Sequence, residues 1–262
     1  MNTNLSGKTA LVCGSTQGIG KATALLLAEM GANVVLMARN EQSLKTVLKH
    51  LSVSANQEHG FIVANFDEPT QVKQGIEKYL DDGKQVHILV NNTGGPPSGQ
   101  IIDAQADEFK KAFDNHLVCN HILAQAVLPS MKAAGYGRII NIISTSVKIP
   151  IANLGVSNTI RAAVANWAKT LSNEVASFGI TVNNVLPGLT ATGRLESLIA
   201  GIADNSNTTI AEVEDKLKSE IPFGRFGAPK EVANAIGFLA SEAASYITGI
   251  NIPVDGGKTG NL

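Results

Sequence analysis

The chain has 262 residues, 44% of them hydrophobic, and a formal net charge of −1 at pH 7. This composition is typical of a globular protein, and the absence of a basic cluster argues against a nucleic-acid partner. No apolar signal core or run of ~18 apolar residues is present, so we expect a cytoplasmic protein without membrane contact. Cys13 and Cys119 are expected to be buried and reduced, and no metal site is predicted.

Short aliphatic or β-branched runs alternate with longer helical patterns. Continuous apolar runs indicate parallel strands covered on both faces. The predicted strands are Thr9–Cys13, Asn33–Ala38, Gly60–Ala64, Val86–Asn91, Arg138–Ile143, Thr181–Leu186 and Ile250–Val254. The predicted helices lie near Gly18–Met30, Glu41–Leu51, Thr70–Leu80, Ala106–Ala134, Asn158–Phe178 and Pro229–Ala240. This alternation predicts an α/β fold, a doubly wound parallel sheet of about seven strands with helices on both faces, in one domain over residues 1–262.

A turn with three glycines follows the first predicted strand and opens the first long helix. Glycine allows a tight turn, lets the backbone approach a pyrophosphate and lets the helix pack closely on the strand. Free N–H groups and the dipole at the start of the helix then attract phosphates. We therefore expect a dinucleotide to contact Gly14, Ser15, Thr16, Gln17, Gly18, Ile19 and Gly20.

The spacing of these glycines, Gly-x-x-x-Gly-x-Gly, resembles the short-chain dehydrogenase/reductase family. Further motifs resemble that family in the same order, from about residue 5 to residue 258. They are Asn91-Asn92-Thr93-Gly94, Arg138-Ile139-Ile140-Asn141-Ile142-Ile143-Ser144, Pro187-Gly188-Leu189-Thr190-Ala191-Thr192 and Val254-Asp255-Gly256-Gly257. The resemblance implies a Rossmann fold that binds a nicotinamide dinucleotide.

The end of the second strand indicates which dinucleotide binds. NAD sites need an acid here to accept from the ribose 2′-OH, but Ala38 occupies this place and Arg39 follows. A guanidinium suits the 2′-phosphate, so NADP(H) is the expected cofactor, unless Arg39 is only a solvated cation. By resemblance, the other expected cofactor contacts are Asn65, Phe66, Asn92, Thr93, Gly94, Arg161, Pro187, Gly188, Thr190 and Thr192.

The catalytic positions depart from the family's pattern. Members typically use a serine that polarises the substrate carbonyl, a tyrosine that gives the proton, a lysine four residues later and an asparagine in the preceding long helix. Ser144 fills the serine position. Ser157 occupies the tyrosine position, Arg161 the lysine position and His116 the asparagine position.

These substitutions change the acid–base chemistry. An aliphatic hydroxyl is a far weaker acid than tyrosine, and arginine stays protonated and cannot relay protons. His116, with an unperturbed pKa of about 6.5, is a candidate proton donor; a hydrogen-bonded structural histidine is the alternative. Two functions therefore stay open. One is an NADPH-dependent reductase of a small carbonyl compound, a 3-oxoacyl group or related ketone; the other is a catalytically silent NADP(H)-binding subunit or sensor.

Two further features concern the substrate and the assembly. Residues from about 191 to 222 exceed an ordinary connection and carry helical patterns at Leu195–Ala203 and Thr209–Ser219. We expect a substrate lid there; a surface insertion without a role is the alternative. The predicted helix from Asn158 is apolar around much of its circumference, which indicates a homo-oligomer, and the resemblance implies a tetramer.

Overall fold

A parallel sheet organises residues 1–260, the part of the chain that the computed structural model describes. Its strands are β1 Thr9–Cys13, β2 Asn33–Ala38, β3 Gly60–Val63, β4 Ile88–Asn91, β5 Gly137–Ile142, β6 Ile180–Pro187 and β7 Asn251–Val254. Their order is β3-β2-β1-β4-β5-β6-β7, and every neighbouring pair is parallel. The predicted α/β fold with seven parallel strands is confirmed, and the strand ends differ from the prediction by at most two residues.

Helices cover both faces of this sheet, as the continuous apolar runs predicted. In residues 1–260 the α-helices are α1 Gly18–Glu29, α2 Glu41–Leu48, α3 Pro69–Asp81, α4 Ala106–Phe113, α5 Cys119–Ala134, α6 Gly155–Val175, α7 Gly193–Ser206, α8 Ile210–Ser219 and α9 Pro229–Ala240. Val12 of β1 packs with Leu27 of α1 on one face. Its neighbour Leu11 packs with Leu123 of α5 on the other face, because successive side chains of a strand point to opposite sides.

The predicted long helix over Ala106–Ala134 is interrupted, which corrects the sequence-based expectation. Residues Asp114–Val118 form a π-helical turn between α4 and α5. Such a turn accommodates one extra residue and changes the direction in which the following side chains point. His116 lies within it and is buried, with its ring hydrogen-bonded to Thr93.

Four asparagines form a row across the sheet. Asn91 Nδ2 donates to Asn141 Oδ1, Asn141 Nδ2 to Asn184 Oδ1, and Asn184 Nδ2 to Asn251 Oδ1, each at 2.8 Å. These residues are direct register partners on β4, β5, β6 and β7. Since a buried amide is costly without a partner, the row holds these strands in one mutual register.

The segment that follows β6 contains two helices with their own apolar cluster. The predicted helical patterns are confirmed by α7 and α8, whose first turns are capped by Thr192 and Thr209. Buried Leu195 and Ile199 of α7 pack against Val213 of α8. None of the helices in residues 1–260 is long and apolar enough to cross a bilayer.

Candidate active site

The motifs singled out in the sequence meet at the carboxyl edge of the sheet. Gly14 follows β1, Asn92 follows β4, Ser144 lies two residues after β5, and Gly188 follows β6. In open parallel sheets this edge, where the strand order reverses, is where ligands bind. Here the reversal lies between β1 and β4, which are adjacent in the sheet but distant in the chain.

The glycine turn is packed too closely for any larger residue. A Cβ on Gly20 would lie 2.2 Å from the carbonyl oxygen of Gly14. A Cβ on Gly14, which has φ of 57°, would lie 2.5 Å from the carbonyl oxygen of Asn92. The Asn92 amide closes the turn from the other side, because Nδ2 donates to the carbonyls of Cys13 and Gly14 at 3.3 Å each.

The first turn of α1 has no side-chain cap and no acidic residue. Its N–H groups and the positive end of the helix dipole are therefore open to an anion at the glycine turn. The methyl group of Thr192 lies 3.1 Å from the position of a Cβ on Gly18, so the loop after β6 forms the opposite wall. Gly14, Gly18 and Gly20 together with the first turn of α1 form what we call the glycine cradle. It fits a pyrophosphate, which needs close backbone approach and free N–H donors.

The residues expected at the adenine end lie after β2 and β3. Arg39 is exposed directly after the buried Ala38. Asn65 Oδ1 accepts from the main-chain N–H of Asp67 at 3.2 Å, and its amide nitrogen atom is left for other partners. The Phe66 carbonyl accepts from Cys119 Sγ at 3.5 Å, which anchors this loop to α5.

The loop after β6 is held by its own contacts. A Cβ on Gly188 would lie 2.7 Å from the side chain of Asp255, so the turn after Pro187 requires glycine. Thr190 Oγ1 donates to the Gly188 carbonyl at 3.1 Å, and Thr192 Oγ1 donates to the Thr190 carbonyl at 3.2 Å. These bonds keep the loop folded toward the glycine turn.

Ser144 caps a short 3-10 turn, Thr145–Val147, directly after the end of β5. Its Oγ accepts a hydrogen bond from the main-chain N–H of Ser146 at 3.1 Å. The acceptor role fixes the side chain and leaves the hydroxyl proton for another group.

Ser157 and Arg161 lie one turn apart on α6, as their spacing predicted, and both are buried. Arg161 Nη1 donates to the carbonyl of Ile142, the last residue of β5, at 3.1 Å. Burial first, and the positive charge of Arg194 second, lower the pKa of Arg161 to about 10. Arg161 therefore remains a cation at neutral pH. The hydroxyl of Ser157 has no hydrogen-bond partner among residues 1–260.

His116 behaves differently from the expectation of a ring that titrates near neutrality. The residue is 2% exposed, and its Nδ1 atom shares a hydrogen bond with Thr93 Oγ1. Burial, followed by the positive charges of Arg161 and Arg194, lowers the pKa of His116 to about 2. This shift favours the alternative of a hydrogen-bonded structural histidine, because burial and two nearby cations disfavour the protonated ring.

This shift predicts how stability depends on pH. The unfolded chain binds a proton at His116 near pH 6.5, whereas the folded chain does not until about pH 2. The contribution of His116 to the free energy of unfolding is full above pH ~6.5. It is lost as the pH falls, by about 1.4 kcal/mol per pH unit below that point. Urea unfolding between pH 7.5 and pH ~5 should show a shallower loss in His116→Gln. His121→Gln, at an exposed ring of the same region, is the control, and equal slopes in all three proteins would contradict the assignment.

Sequence reasoning missed Arg194. Its side chain is exposed in the first turn of α7, and Nη2 donates to the carbonyl of Pro96 at 2.6 Å. This bond ties α7 to the loop after β4, next to Gly95. A signal was present in the sequence, since a cation in the first turn of a helix opposes the helix dipole.

The comparisons with known proteins agree with this architecture. Residues 14–259 match the family model described as Enoyl-(Acyl carrier protein) reductase. The chain is 36% identical over 257 residues to the 3-oxoacyl-(acyl-carrier-protein) reductase FabG of Vibrio cholerae, covering 97% of this chain and 98% of that protein. It is 30% identical to L-sorbose reductase from Gluconobacter frateurii, solved with NADPH and L-sorbose, with a TM-score of 0.93 and full coverage of both chains.

A second solved structure bears the family's name. It is a short-chain type dehydrogenase/reductase from Mycobacterium marinum, 31% identical, with a TM-score of 0.86 over 99% of this chain and 98% of that one. The family-model match, over residues 14–259, covers nearly all of the described residues. The chain therefore belongs to the short-chain dehydrogenase/reductase family.

Proposed function

We propose that the protein is an NADPH-dependent reductase of a small carbonyl compound, a 3-oxoacyl group or related ketone, with a proton source other than tyrosine. The observation that carries this proposal is the close-packed glycine cradle beside a polar centre at the end of β5. The relatives named above include a 3-oxoacyl reductase and a sugar reductase solved with NADPH, which supports the same reaction class.

The cradle and its surroundings would hold the cofactor. Bound NADPH would supply the hydride. In our proposal Gly14, Gly18 and Gly20 take the pyrophosphate on the N–H groups of α1, and Arg39 takes the 2′-phosphate. The other contacts proposed are Ser15, Thr16, Gln17, Ile19, Asn65, Phe66, Asn92, Thr93, Gly94, Arg161, Pro187, Gly188, Thr190 and Thr192.

Three side chains would act on the substrate. Ser144, fixed by its bond from Ser146, would donate to the carbonyl oxygen and stabilise negative charge that develops there. Ser157 is smaller than tyrosine, and its unpartnered hydroxyl would hold a water molecule that delivers the proton. His116, neutral and buried, would orient this water through its ring rather than donate a proton as a cation.

The direct test is consumption of NADPH with a panel of ketones and 3-oxoacyl thioesters, followed at the absorbance of the reduced nicotinamide. Turnover of any of them supports reduction. A specific observation favours the second candidate, a silent NADP(H)-binding subunit: Ser157 and Arg161 offer no acid comparable to tyrosine. NADPH binding without turnover across the panel would establish that candidate instead.

Cofactor preference gives a separate prediction. Arg39→Ala should weaken NADPH binding by about 1–3 kcal/mol and leave NADH binding nearly unchanged, because only the 2′-phosphate meets the guanidinium. Fluorescence titration of both cofactors measures the difference. Lys49→Ala, which removes an exposed cation at the end of α2, is the matched control. Equal affinities for NADPH and NADH in the unmutated protein would contradict the assignment.

We also propose a homotetramer, supported by the outer side of α6. Ala162 is exposed there and Ala163 is half-buried, and Trp167 is half-buried although it packs partly against the core beneath the helix. A second apolar surface on one helix is typical of a subunit interface. Sedimentation at micromolar concentration should give a species well above the 27.4 kDa chain, and a monomer alone would contradict the proposal.

Two further parts of the proposal concern the surroundings of the site. The segment from about 191 to 222, with α7 and α8, would act as the substrate lid, because Thr192 at its start borders the cradle. Cys13 and Cys119 are free and buried, which suits a reducing compartment and supports a cytoplasmic location.

A further inference from the structure

Two arginines meet beside the candidate site without an acidic partner. The Nη2 atoms of Arg161 and Arg194 each lie 3.5 Å from the point where a Cβ on Gly95 would stand, so they are no further apart than twice that distance. Neither guanidinium forms an ion pair with any carboxylate of residues 1–260. Their hydrogen bonds go to neutral carbonyls, those of Ile142 and Pro96.

This arrangement is unfavourable without a negative charge close to the two arginines. Arg161 is 7% exposed, and its Nε atom is buried without a hydrogen-bond partner. A buried cation near a second cation is destabilised both by lost hydration and by repulsion. Arg194, in the first turn of α7, additionally opposes the dipole of its own helix. A bound anion would relieve each of these costs.

The expected cofactor has other groups for its own charges. The pyrophosphate has the free N–H donors of α1 within the glycine cradle. The 2′-phosphate would have Arg39, which is exposed directly after β2. If Arg161 contacts a ribose of the cofactor, the ribose hydroxyls are neutral and would leave the pair of positive charges uncompensated. The negative charge that would balance Arg161 and Arg194 would therefore have to come from the substrate.

We propose that Arg161 and Arg194 together bind the carboxylate of a short oxo acid, so that the substrate is an anionic carbonyl compound. This rests on the proposed reductase function and names its substrate class. A planar guanidinium matches a carboxylate with two parallel hydrogen bonds. Arg161 is bonded to the carbonyl of Ile142, two residues before Ser144, so an anion held by Arg161 would lie near the segment that carries the hydroxyl proposed to polarise the carbonyl.

The test measures binding in the presence of NADP⁺, which has no hydride to transfer, so that turnover does not enter. Acetoacetate and its uncharged methyl ester are titrated by calorimetry into the NADP⁺-loaded protein. The variants are Arg194→Gln and, as a matched loss of one positive charge, Lys132→Gln at the end of α5. We expect acetoacetate to bind at least tenfold more tightly than the ester, and Arg194→Gln to remove roughly that factor. Lys132→Gln should change neither.

Three results would overturn the inference. One is equal binding of acid and ester. Another is an Arg194→Gln variant whose affinity for NADPH falls as much as its affinity for acetoacetate, which would assign the charge to the cofactor. The third is binding of inorganic phosphate but not acetoacetate, which would indicate a phosphorylated substrate. Arg194-dependent binding of acetoacetate without NADPH consumption would instead uphold the site and refute the reductase.

Discussion

Ser144→Ala is expected to lower kcat/KM for carbonyl reduction by about a hundredfold or more while NADPH affinity is unchanged. The Ser144 hydroxyl is the donor proposed to meet the oxygen on which negative charge develops, and loss of one such donor costs about 10²–10³ in rate. Cofactor affinity is spared because Ser144 lies after β5, whereas the phosphates are expected at the turn after β1. Steady-state kinetics on a substrate found in the panel, with NADPH titration in parallel, gives both quantities.

Ser146→Ala is the matched control for this variant. The Ser146 hydroxyl is buried without a hydrogen-bond partner, and only its main-chain N–H contacts Ser144. Its removal therefore preserves the geometry of Ser144 and should leave turnover within about twofold of the parent, since no hydrogen bond is lost. If Ser144→Ala were as active as Ser146→Ala, the chemistry would have to lie elsewhere in the molecule.

Gly20→Ala is expected to displace the backbone of the glycine cradle. The new Cβ would lie 2.2 Å from the Gly14 carbonyl oxygen and 2.6 Å from Asn92 Nδ2, so backbone must move before the methyl group fits. We expect the free energy of unfolding to fall by about 2–3 kcal/mol, as for other overpacked sites. NADPH affinity should fall roughly a hundredfold, because the displaced N–H groups no longer converge on the pyrophosphate.

A second glycine distinguishes this steric effect from the general effect of alanine. A Cβ on Gly201 of α7 would have no neighbour within 4 Å. Gly201→Ala should therefore leave NADPH affinity unchanged and raise stability by about 0.5–1 kcal/mol, the usual gain for alanine in a helix. Urea unfolding and NADPH titration of both variants provide the comparison. Unchanged cofactor binding in Gly20→Ala would show that the dinucleotide does not use this turn.

The sheet and the glycine turn could be predicted from the sequence because each is determined by residues that are close together in the chain. Runs such as Thr9–Cys13 are buried on both faces, and that burial requires continuous apolar residues in the chain. The placement of Ser157 and Arg161 on one buried side of α6 followed in the same way from helical spacing. Strand ends were less certain, as at Val86, since fraying depends on neighbours outside the strand.

The features that the sequence did not disclose depend on contacts between distant segments. The apolar pattern over Ala106–Ala134 continues through the π-helical turn, so periodicity cannot reveal the extra residue there. The low pKa of His116 arises from burial and from two arginines on other elements. Thr93 was assigned to the cofactor by resemblance alone; in the structure its hydroxyl is bonded to His116, a contact no pattern indicated.

The asparagine row has a consequence for how the sheet can misfold. The amides of Asn91, Asn141 and Asn184 each donate in the same direction, toward Asn251, and the Oδ1 atom of Asn91 at the start of the row has no partner. If β5 slipped by one residue, Asn141 would turn to the opposite face and leave two buried amides unpaired, at about 1–3 kcal/mol each. A shift in register between any two neighbouring strands of the row therefore breaks a buried hydrogen bond and lowers stability. This cost favours the one register in which Asn92, Ser144 and Gly188 lie together at the carboxyl edge of the sheet.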